Sequence, residues 1–319
     1  MDAEQPAAWR QGVDTARRMN REMWLGWLAI LGAVGIYAGN FVISRYGVKA
    51  AIGANDLTAL RFGVAGILML PLFIRHAGSS FRRLGYGRWA VLTLLSGPPF
   101  TLSMMWGLNF SPVAHGAAIV AGTIPVASAI GARIALGQNI SPLRILLFTV
   151  IFAGLFLVTG FSAATEPGVL FGDFLFVACG TMWGAFAVAL RKWTPDPMPL
   201  AAVTAGLSML YLPVYFLWLS PDFSTASYEQ ISVLAIYQGV MVSIVSVLLF
   251  SHAVRSLGPQ KATLGNATVP IFAALIAAPV LGELPSPAQW LGIALTVGCV
   301  ILAARIPESA PARETEPPA

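Results

Sequence analysis

The sequence is short of charge and of cysteine. Only 10% of its 319 residues are charged while 57% are apolar, and the mean hydropathy is +0.74. A soluble domain carries about 25% charged residues, so this composition excludes a soluble enzyme or nucleic-acid-binding protein. The two cysteines, Cys179 and Cys299, stand far apart in apolar stretches. No disulfide framework is therefore indicated, and we expect both to be small packing residues.

Catalytic and phosphate-binding motifs are absent as well. The sequence contains no H-E-x-x-H, no G-x-S-x-G and no Walker-type phosphate loop. No connection between its apolar runs is long enough to form a soluble domain. We therefore expect no enzymatic activity, no cofactor and no metal site. An intramembrane enzyme and a passive channel or membrane scaffold are the competing interpretations.

Long apolar runs dominate what is present. A transmembrane helix needs about 20 apolar residues, because the hydrocarbon core is ~30 Å thick. Ten runs qualify, at Trp24–Arg45, Asp56–Arg75, Arg88–Phe110, Pro112–Ala135, Pro142–Phe161, Val169–Arg191, Met198–Leu219, Glu229–Arg255, Pro259–Leu281 and Ala288–Arg305. The pattern predicts an all-α integral membrane protein, with disordered polar ends at residues 1–23 and 306–319.

The basic residues are distributed unevenly along the chain. Of the 19 Lys and Arg side chains, all but Arg45, Lys49 and Arg61 fall on alternate connections or on the two ends. The positive-inside rule then places both termini in the cytoplasm of a multi-pass protein of the cell inner (plasma) membrane. The basic net charge of +5 is thus explained by topology, and no nucleic-acid partner is expected.

The two halves of the chain are related by a repeat. Gly180, Gly184 and Pro270 lie 145 positions after Gly35, Gly39 and Pro125, respectively. The offset predicts two five-helix repeats, at residues 24–161 and 169–305. Because five is odd, the second repeat must enter the membrane in the opposite direction. Inverted repeats of this kind permit alternating access to a site near the membrane midplane.

Several short motifs resemble the EamA-type branch of the drug/metabolite transporter superfamily. The second repeat holds Trp183-Gly184-Ala185-Phe186, Pro270 and Gly282-Glu283, and the first holds Gly39-Asn40-Phe41, Leu60-Arg61-Phe62, Pro125 and Gly137. The sequence departs from the family pattern at Tyr37-Ala38, where a Trp is usual, and at Gln138, where a Glu is usual. The resemblance implies ten transmembrane helices in two inverted repeats. It also implies export of amino acids, other metabolites or toxic compounds.

Polar and aromatic side chains within the spans are the candidates for substrate binding. Charged or polar side chains are costly toward lipid and therefore face a cavity or another helix. The candidates are Tyr37, Asn40, Trp106, His115, Trp183, Gln238, His252 and Asn266. The alternative for Asn40 and for each His is a side chain satisfied by a neighbouring helix. The small and helix-bending residues are expected to serve packing or hinge motion: Gly35, Gly39, Pro125, Gly180, Gly184 and Pro270.

Two charged residues near the spans have separate interpretations. Arg61 is expected to pair with Asp56 at the outer rim, or alternatively to attract an anionic group of the substrate. Glu283 is expected to be structural, because its repeat partner Gln138 cannot titrate. A cavity with so few cations disfavours phosphorylated substrates.

The sequence therefore predicts a secondary transporter. The expected cargo is a small zwitterionic or weakly polar metabolite such as an amino acid, exported by alternating access. Export of drugs or toxic compounds is the main alternative. The expected partners are the small-molecule substrate and the lipid bilayer, and the protein is expected to be a monomer or a weak homodimer.

Overall fold

The computed structural model describes residues 5–49, 52–160, 167–219, 221–224, 226–257 and 265–306. Within these ranges every regular element is a helix. They are α1 (Gln5–Lys49), α2 (Ala54–Leu84), α3 (Tyr86–Ser96), α4 (Pro98–Phe110), α5 (Val113–Leu136), α6 (Pro142–Thr159), α7 (Pro167–Trp193), α8 (Pro197–Ser208), α9 (Tyr211–Trp218), α10 (Tyr228–Ala235), a π-helix (Ile236–Val245), α11 (Ser246–Leu257), α12 (Val269–Leu281) and α13 (Pro287–Arg305).

These helices combine into membrane spans. In the described part of the chain, nine helical stretches are long and apolar enough to cross a bilayer, and Val269–Leu281 is a shorter apolar helix. Three spans are composite, at Tyr86–Phe110, Pro197–Trp218 and Tyr228–Phe250. The all-α membrane architecture predicted from the apolar runs is confirmed.

The first helix is longer than its apolar run. α1 begins at Gln5, although the polar composition of residues 1–23 predicts disorder. Gln, Glu, Arg, Met and Ala are good helix formers, and they let the helix of the first span continue toward the N-terminus. The predicted disordered tail after residue 306 lies outside the described residues.

The ninth span differs from its prediction. Residues 258–264 are not described, and the chain turns at Ala267 and Thr268 before α12 begins at Val269. Pro270 is the second residue of α12, where its missing N–H leaves no helical bond unmade. Its repeat partner Pro125 instead lies inside the continuous helix α5. The two prolines thus occupy different local structures.

Contacts at the helix ends confirm that the second repeat is inverted. α1 ends where Glu283 lies, since Arg45 and Lys49 both pair with that carboxylate. α7, the first helix of the second repeat, begins at this same end, because Ser111 at the C-terminus of α4 donates to the carbonyl of Val169 at 2.8 Å. We call this side of the molecule the Glu283 end.

The other side is called the Arg83 end. There Arg83, in the last turn of α2, pairs with Asp196 at the start of α8 at 2.5 Å. Arg144, in the first turn of α6, donates to the carbonyl of Ile306 after α13 at 2.9 Å. The fifth span therefore packs on the tenth, as α2 packs on α8. Both pairs relate one repeat to the other across the pseudo-two-fold axis.

Lipid-facing and buried surfaces separate as expected for a membrane protein. Leu143, Ile145, Leu146, Phe152 and Phe156 of α6 are more than half exposed. Ile151 and Val158 of the same helix are fully buried in the main apolar core. Exposed apolar side chains on one face of a span are favourable in lipid, whereas they would destabilise a soluble protein.

Candidate functional site

Three polar side chains of α1, in the C-terminal half of the first span, lie against α4, the π-helix and α11. Tyr37 lies close to Ser246 at the start of α11. Asn40 is 5% exposed, and its Nδ2 lies 3.7 Å from the Sδ of Met104 in α4. Ser44 donates to Asn40 Oδ1 at 3.4 Å. The polar face predicted for the first span is thus turned inward, toward other helices.

The π-helix supplies a further polar group to this region. Gln238 is fully buried, and its Nε2 donates to Ser44 Oγ at 2.7 Å. Its Oε1 has no hydrogen-bond partner among the described residues. The neighbouring Tyr237 donates to an α1 carbonyl at 3.0 Å, and its hydroxyl fills the space that a side chain at Gly39 would need. π-helical turns occur frequently at functional sites.

The predicted ion pair between Arg61 and Asp56 is wrong. The Asp56 carboxylate instead accepts hydrogen bonds from the Tyr215 hydroxyl and the Gly53 N–H. Residues five positions apart on a helix point about 140° away from each other, so the two side chains leave α2 in different directions. Asp56 stays at the helix start and Arg61 turns into the protein.

Arg61 has no hydrogen-bond partner for its buried nitrogens. Its Nε and Nη1 are inaccessible and unpartnered within the described part of the chain. The guanidinium lies within electrostatic range of Tyr37 in α1 and Cys179 in α7, and 5.8 Å from the ring of the adjacent Phe62. An isolated cation therefore stands where spans from both repeats meet.

Trp183 forms an aromatic wall with two phenylalanines. Its half-buried ring lies 5.0 Å from the ring of Phe100 in α4 and 5.2 Å from that of Phe186. It follows Cys179 by one helical turn, so both residues share one face of α7. We call Tyr37, Asn40, Ser44, Arg61, Trp183 and Gln238 the central cluster.

Three predicted site residues lie apart from the central cluster. Trp106 is 40% exposed, and its Nε1 lies 3.4 Å from Asn55 Oδ1 near the Glu283 end. His252 is in α11, with its Nε2 3.5 Å from Ser256 Oγ. Asn266 precedes the turn before α12, and its buried Oδ1 has no partner among the described residues.

His115 belongs to a buried network at the Glu283 end. It is 1% exposed, and its Nδ1 lies 3.1 Å from Asp173 Oδ1. Ser111 Oγ lies 2.9 Å from the same oxygen, and Gln289 Nε2 lies 3.4 Å from His115 Nε2. The network joins α5, α7 and α13. This arrangement matches the alternative of a His satisfied by its neighbours.

The glycines predicted for packing act unequally in the two repeats. A Cβ at Gly180 would lie 2.7 Å from Thr123 Cβ, and one at Gly184 would lie 2.7 Å from Ala127 Cβ, so α7 closely approaches α5. A Cβ at Gly35, the repeat partner of Gly180, would have no described atom within 4 Å. The close approach expected at Gly35 is therefore absent.

A cluster of charges closes the Glu283 end, and we call it the latch. Glu283 Oε1 accepts from Arg45 Nε at 3.1 Å and from Lys49 Nζ at 2.9 Å. Glu283 Oε2 accepts from the Val113 N–H at 2.9 Å, and Arg45 also donates to the Leu108 carbonyl. The latch thus ties α1 and the loop after α12 to α4 and α5.

The pKa of Glu283, which lies in the loop after α12, reflects this environment. Partial burial by itself would raise the pKa of the carboxyl group. The Val113 N–H, Lys49 and Arg45 outweigh it and hold the pKa of Glu283 below its usual value. The carboxylate is therefore ionised throughout the physiological pH range.

Within the described residues, the positions of the Arg83 end that are equivalent to the latch carry no charge. The repeat partners of Arg45, Lys49 and Glu283 are Leu190, Thr194 and Gln138, none of which is charged. α1 packs against α4 and α5, whereas α7 makes no comparable contact with α11 or α12 in the described ranges.

Comparison with known proteins agrees with this architecture. The family model described as the EamA-like transporter family matches residues 24–160 and again residues 170–305. The chain belongs to the EamA-like transporter family. Membership establishes a multi-pass membrane transporter of the drug/metabolite type, built from two repeats.

Two further likenesses fit the family assignment. The uncharacterized transporter YyaM of Bacillus subtilis (strain 168) is 24% identical over 266 residues, which cover 80% of this chain and 83% of that protein. A solved crystal structure superposes with a TM-score of 0.59 at 20% identity, covering 89% of this chain and 96% of the other. At that identity the superposition supports the fold alone.

For this EamA-like transporter, the candidate site is the central cluster. No group of three or more His, Cys, Asp or Glu side chains that could hold a metal ion occurs in the described residues. Sequence reasoning assigned Tyr37, Asn40, Trp183 and Gln238 to the site, but it paired Arg61 elsewhere. The five-residue spacing from Asp56, too wide for one helix face, was the signal that could have separated them.

Proposed function

We propose that this EamA-like transporter is a secondary carrier that exports a small zwitterionic or weakly polar metabolite, such as an amino acid. The proposal rests on one observation: elements of both repeats meet at a central cluster that combines one cation, amide groups and an aromatic wall. A site at the interface of inverted repeats is reachable from either side of the membrane as the repeats exchange conformations.

The chemistry of the central cluster supports a small polar cargo. Asn40 and Gln238 provide amide groups, and Trp183 provides a flat apolar surface beside Phe100. Binding sites for small metabolites combine apolar walls with a few placed polar groups. A cluster with a single cation favours one carboxylate over a phosphorylated group.

The closed Glu283 end identifies the access state of the carrier. If both termini lie in the cytoplasm, as the distribution of Lys and Arg predicts, the latch lies at the outer face of the inner membrane. A carrier latched on its outer face is in the arrangement from which an exporter takes up cargo from the cytoplasm. Alternating access then requires the latch to open.

Counterflow in proteoliposomes tests this function. Vesicles containing the full chain are preloaded with unlabelled L-amino acids and then exposed to a radiolabelled mixture of the same amino acids. We expect saturable, transient accumulation of label, since a carrier exchanges cargo whereas a channel only equilibrates it. Absence of saturable flux would contradict the proposed cargo, and accumulation of a labelled hydrophobic cation instead would favour a drug exporter.

Variants of the central cluster localise the activity. Trp183→Ala and Asn40→Ala are expected to lower counterflow about 10-fold or more while membrane insertion is retained, because each removes a contact at the binding site. Trp218→Ala is the matched control, since Trp218 is 72% exposed on the lipid-facing side of α9. Wild-type flux in both cluster variants would remove those residues from the site.

A further inference from the structure

Arg61 is a half-buried cation, and two of its three guanidinium nitrogens have no hydrogen-bond partner among the described residues. Its Nε and Nη1 are inaccessible, and neither makes a hydrogen bond to any described residue. No ion pair of Arg61 occurs in the part of the chain that the structure describes, where Arg45, Lys49, Arg83 and His115 all face carboxylates. An unpaired buried charge is strongly unfavourable, so an arginine in this position calls for a partner that binds there.

None of the groups described around Arg61 is an anion that neutralises its charge, so we assign that part to a ligand. The two groups in electrostatic range, Tyr37 and Cys179, are uncharged side chains. The ring of Phe62 at 5.8 Å is near the limit of a cation–π contact, and it accepts no directed N–H bond. Asp56, the acid nearest in sequence, is held by Tyr215 and Gly53.

The position of Arg61 places it at the meeting point of the two repeats. It stands about two turns inside α2, one turn before the Val64–Ala65 segment against which Gly239 packs without a side chain. Cys179, one turn before Trp183, brings the second repeat to the same cation. The residue of the second repeat that is equivalent to Arg61 is Gly206, beside the ring of Phe73. The first repeat therefore supplies this cation and the second does not.

We propose that Arg61 binds the carboxylate of the transported molecule, which makes a carboxylate group the required feature of the cargo. Arginine presents parallel N–H donors that match the two oxygens of a carboxylate. A monoanionic group neutralises a single guanidinium, whereas a phosphate would leave uncompensated negative charge. This proposal rests on the proposed function, and it specifies which part of the cargo that function recognises.

The remaining groups of the central cluster are uncharged, so none of them is a charged partner for an amine on the cargo. The acids with described side chains lie at the start of the first span, in the first two turns of later helices or in connecting segments, at Glu22, Asp56, Asp173, Asp196, Asp222, Glu229 and Glu283. A cationic amine on the cargo therefore meets the Trp183 ring and amide oxygens, and no carboxylate. Gln238 Oε1, buried without a partner, is an acceptor available to such an amine.

Matched ligand sets test the proposal on the purified full chain. The first set is L-leucine, 4-methylpentanoate, L-leucinamide and 3-methylbutylamine, and the second is the corresponding set for phenylalanine. Each set keeps the side chain and removes the amine, the carboxylate charge or the carboxylate group. We expect millimolar concentrations of the two acids to raise the thermal unfolding midpoint, because a ligand that binds the folded state stabilises it.

The amides and amines are expected to have no such effect. If only the amino acid stabilises the protein, the cargo is zwitterionic; if the deaminated acid does so equally, it is a simple carboxylate, and both results support the proposal. A response to the amide or the amine equal to that of the acid overturns it. So does the absence of any response to every carboxylate in both sets.

Arg61 variants assign the effect to this side chain. Arg61→Gln is expected to weaken carboxylate binding by roughly 10- to 100-fold, because a charge-assisted hydrogen bond is lost, and Arg61→Lys is expected to retain part of the affinity. Arg75→Gln is the matched control, since Arg75 is exposed on the same helix. Unchanged binding in Arg61→Gln overturns the proposal. If Arg61→Gln does not fold, wild-type affinity in Arg61→Lys overturns it instead, because a site that binds both carboxylate oxygens distinguishes arginine from lysine.

Failure of this proposal is distinguishable from failure of the proposed function. Saturable counterflow of amides or amines, without any requirement for a carboxylate, would leave the carrier function standing and overturn the role of Arg61. Binding of carboxylates without counterflow of any solute would support Arg61 and contradict the carrier function.

Discussion

At the scale of single residues, glycine shows how the two repeats diverged. Gly180 and Gly35 are equivalent by the offset of 145 positions, yet only Gly180 lies against another helix. A Cβ there would lie 2.7 Å from Thr123 Cβ and 3.1 Å from the Val120 carbonyl. Thr123 is β-branched and stiff, and a helix carbonyl cannot move aside. The same substitution should thus have opposite effects at the two positions.

We expect Gly180→Ala to destabilise the protein by about 1–3 kcal/mol, as overpacking of a well-packed interface does. Gly35→Ala should stabilise it by roughly 0.5–1 kcal/mol, because Ala is the better helix former and no described atom is in the way. Thermal unfolding midpoints of the two purified variants measure the difference. Equal midpoints would show that α7 and α5 are not in close contact.

At the scale of secondary-structure elements, the fourth and ninth spans are equivalent in sequence and different in form. α5 continues through Pro125, whereas the chain turns at Ala267 and Thr268 before Pro270. Pro270 has no N–H to donate to the carbonyl of Asn266, four residues earlier, so the short helical segment before the turn cannot continue into α12 with unbroken hydrogen bonds. The interruption leaves Asn266 Oδ1 buried without a described partner.

Pro270→Ala should let the helix extend across this turn and reduce the mobility of the ninth span. We expect counterflow to become roughly 10-fold slower, which corresponds to ~1.4 kcal/mol in the barrier, with little change in the concentration for half-saturation. Pro279→Ala is the control, since Pro279 is exposed near the end of α12. Equal rates in the two variants would exclude the turn from the transport cycle.

At the scale of the whole molecule, the latch makes the two ends of a pseudo-symmetric protein unequal. Glu283 contacts Arg45, Lys49 and the Val113 N–H, and the side chains of Arg45 and Glu283 are only 14% and 18% exposed. Partly buried, multiply bonded ion pairs contribute more than surface pairs do. An exchange between the two access states must break this set of contacts.

Glu283→Gln should open the Glu283 end more readily. A cysteine introduced by Ser44→Cys, at a fully buried position between Asn40 and Arg45, reports this as its reaction rate with a membrane-impermeant maleimide. We expect labelling to be roughly 3- to 10-fold faster in Glu283→Gln, because about 1 kcal/mol of net interaction is lost. Glu229→Gln, which changes an exposed acid at the same end, should label at the unmodified rate.

The pH dependence of the latch has a defined sign. Because the contacts of Glu283 lower its pKa, the stabilisation is present above the ordinary pKa of a glutamate and is lost as pH falls through the lowered value. The ratio of labelling rates between Glu283→Gln and the unmodified chain should therefore stay constant from neutral pH down to about pH 5. A ratio that falls toward one within that range would show that the carboxylate titrates there.

The sequence by itself determined the membrane class, the two repeats and their inversion. Run length, the shared offset between halves and the parity of five spans are properties of the chain alone, because lipid requires each span to satisfy its own backbone. The sequence also named Tyr37, Asn40, Trp183 and Gln238 as candidates, since polar side chains within a span face a cavity or another helix rather than lipid; their part in transport stays a prediction.

Only the tertiary structure decided which of those side chains meet and which are already satisfied. His115 is satisfied by Asp173, and Arg61 is left without a partner after Asp56 binds Tyr215. These outcomes depend on the rotation of each helix and on the distance between helices. A shift of one or two residues in helical phase points a side chain toward a different neighbour. The sequence around a residue does not show which helix lies opposite it.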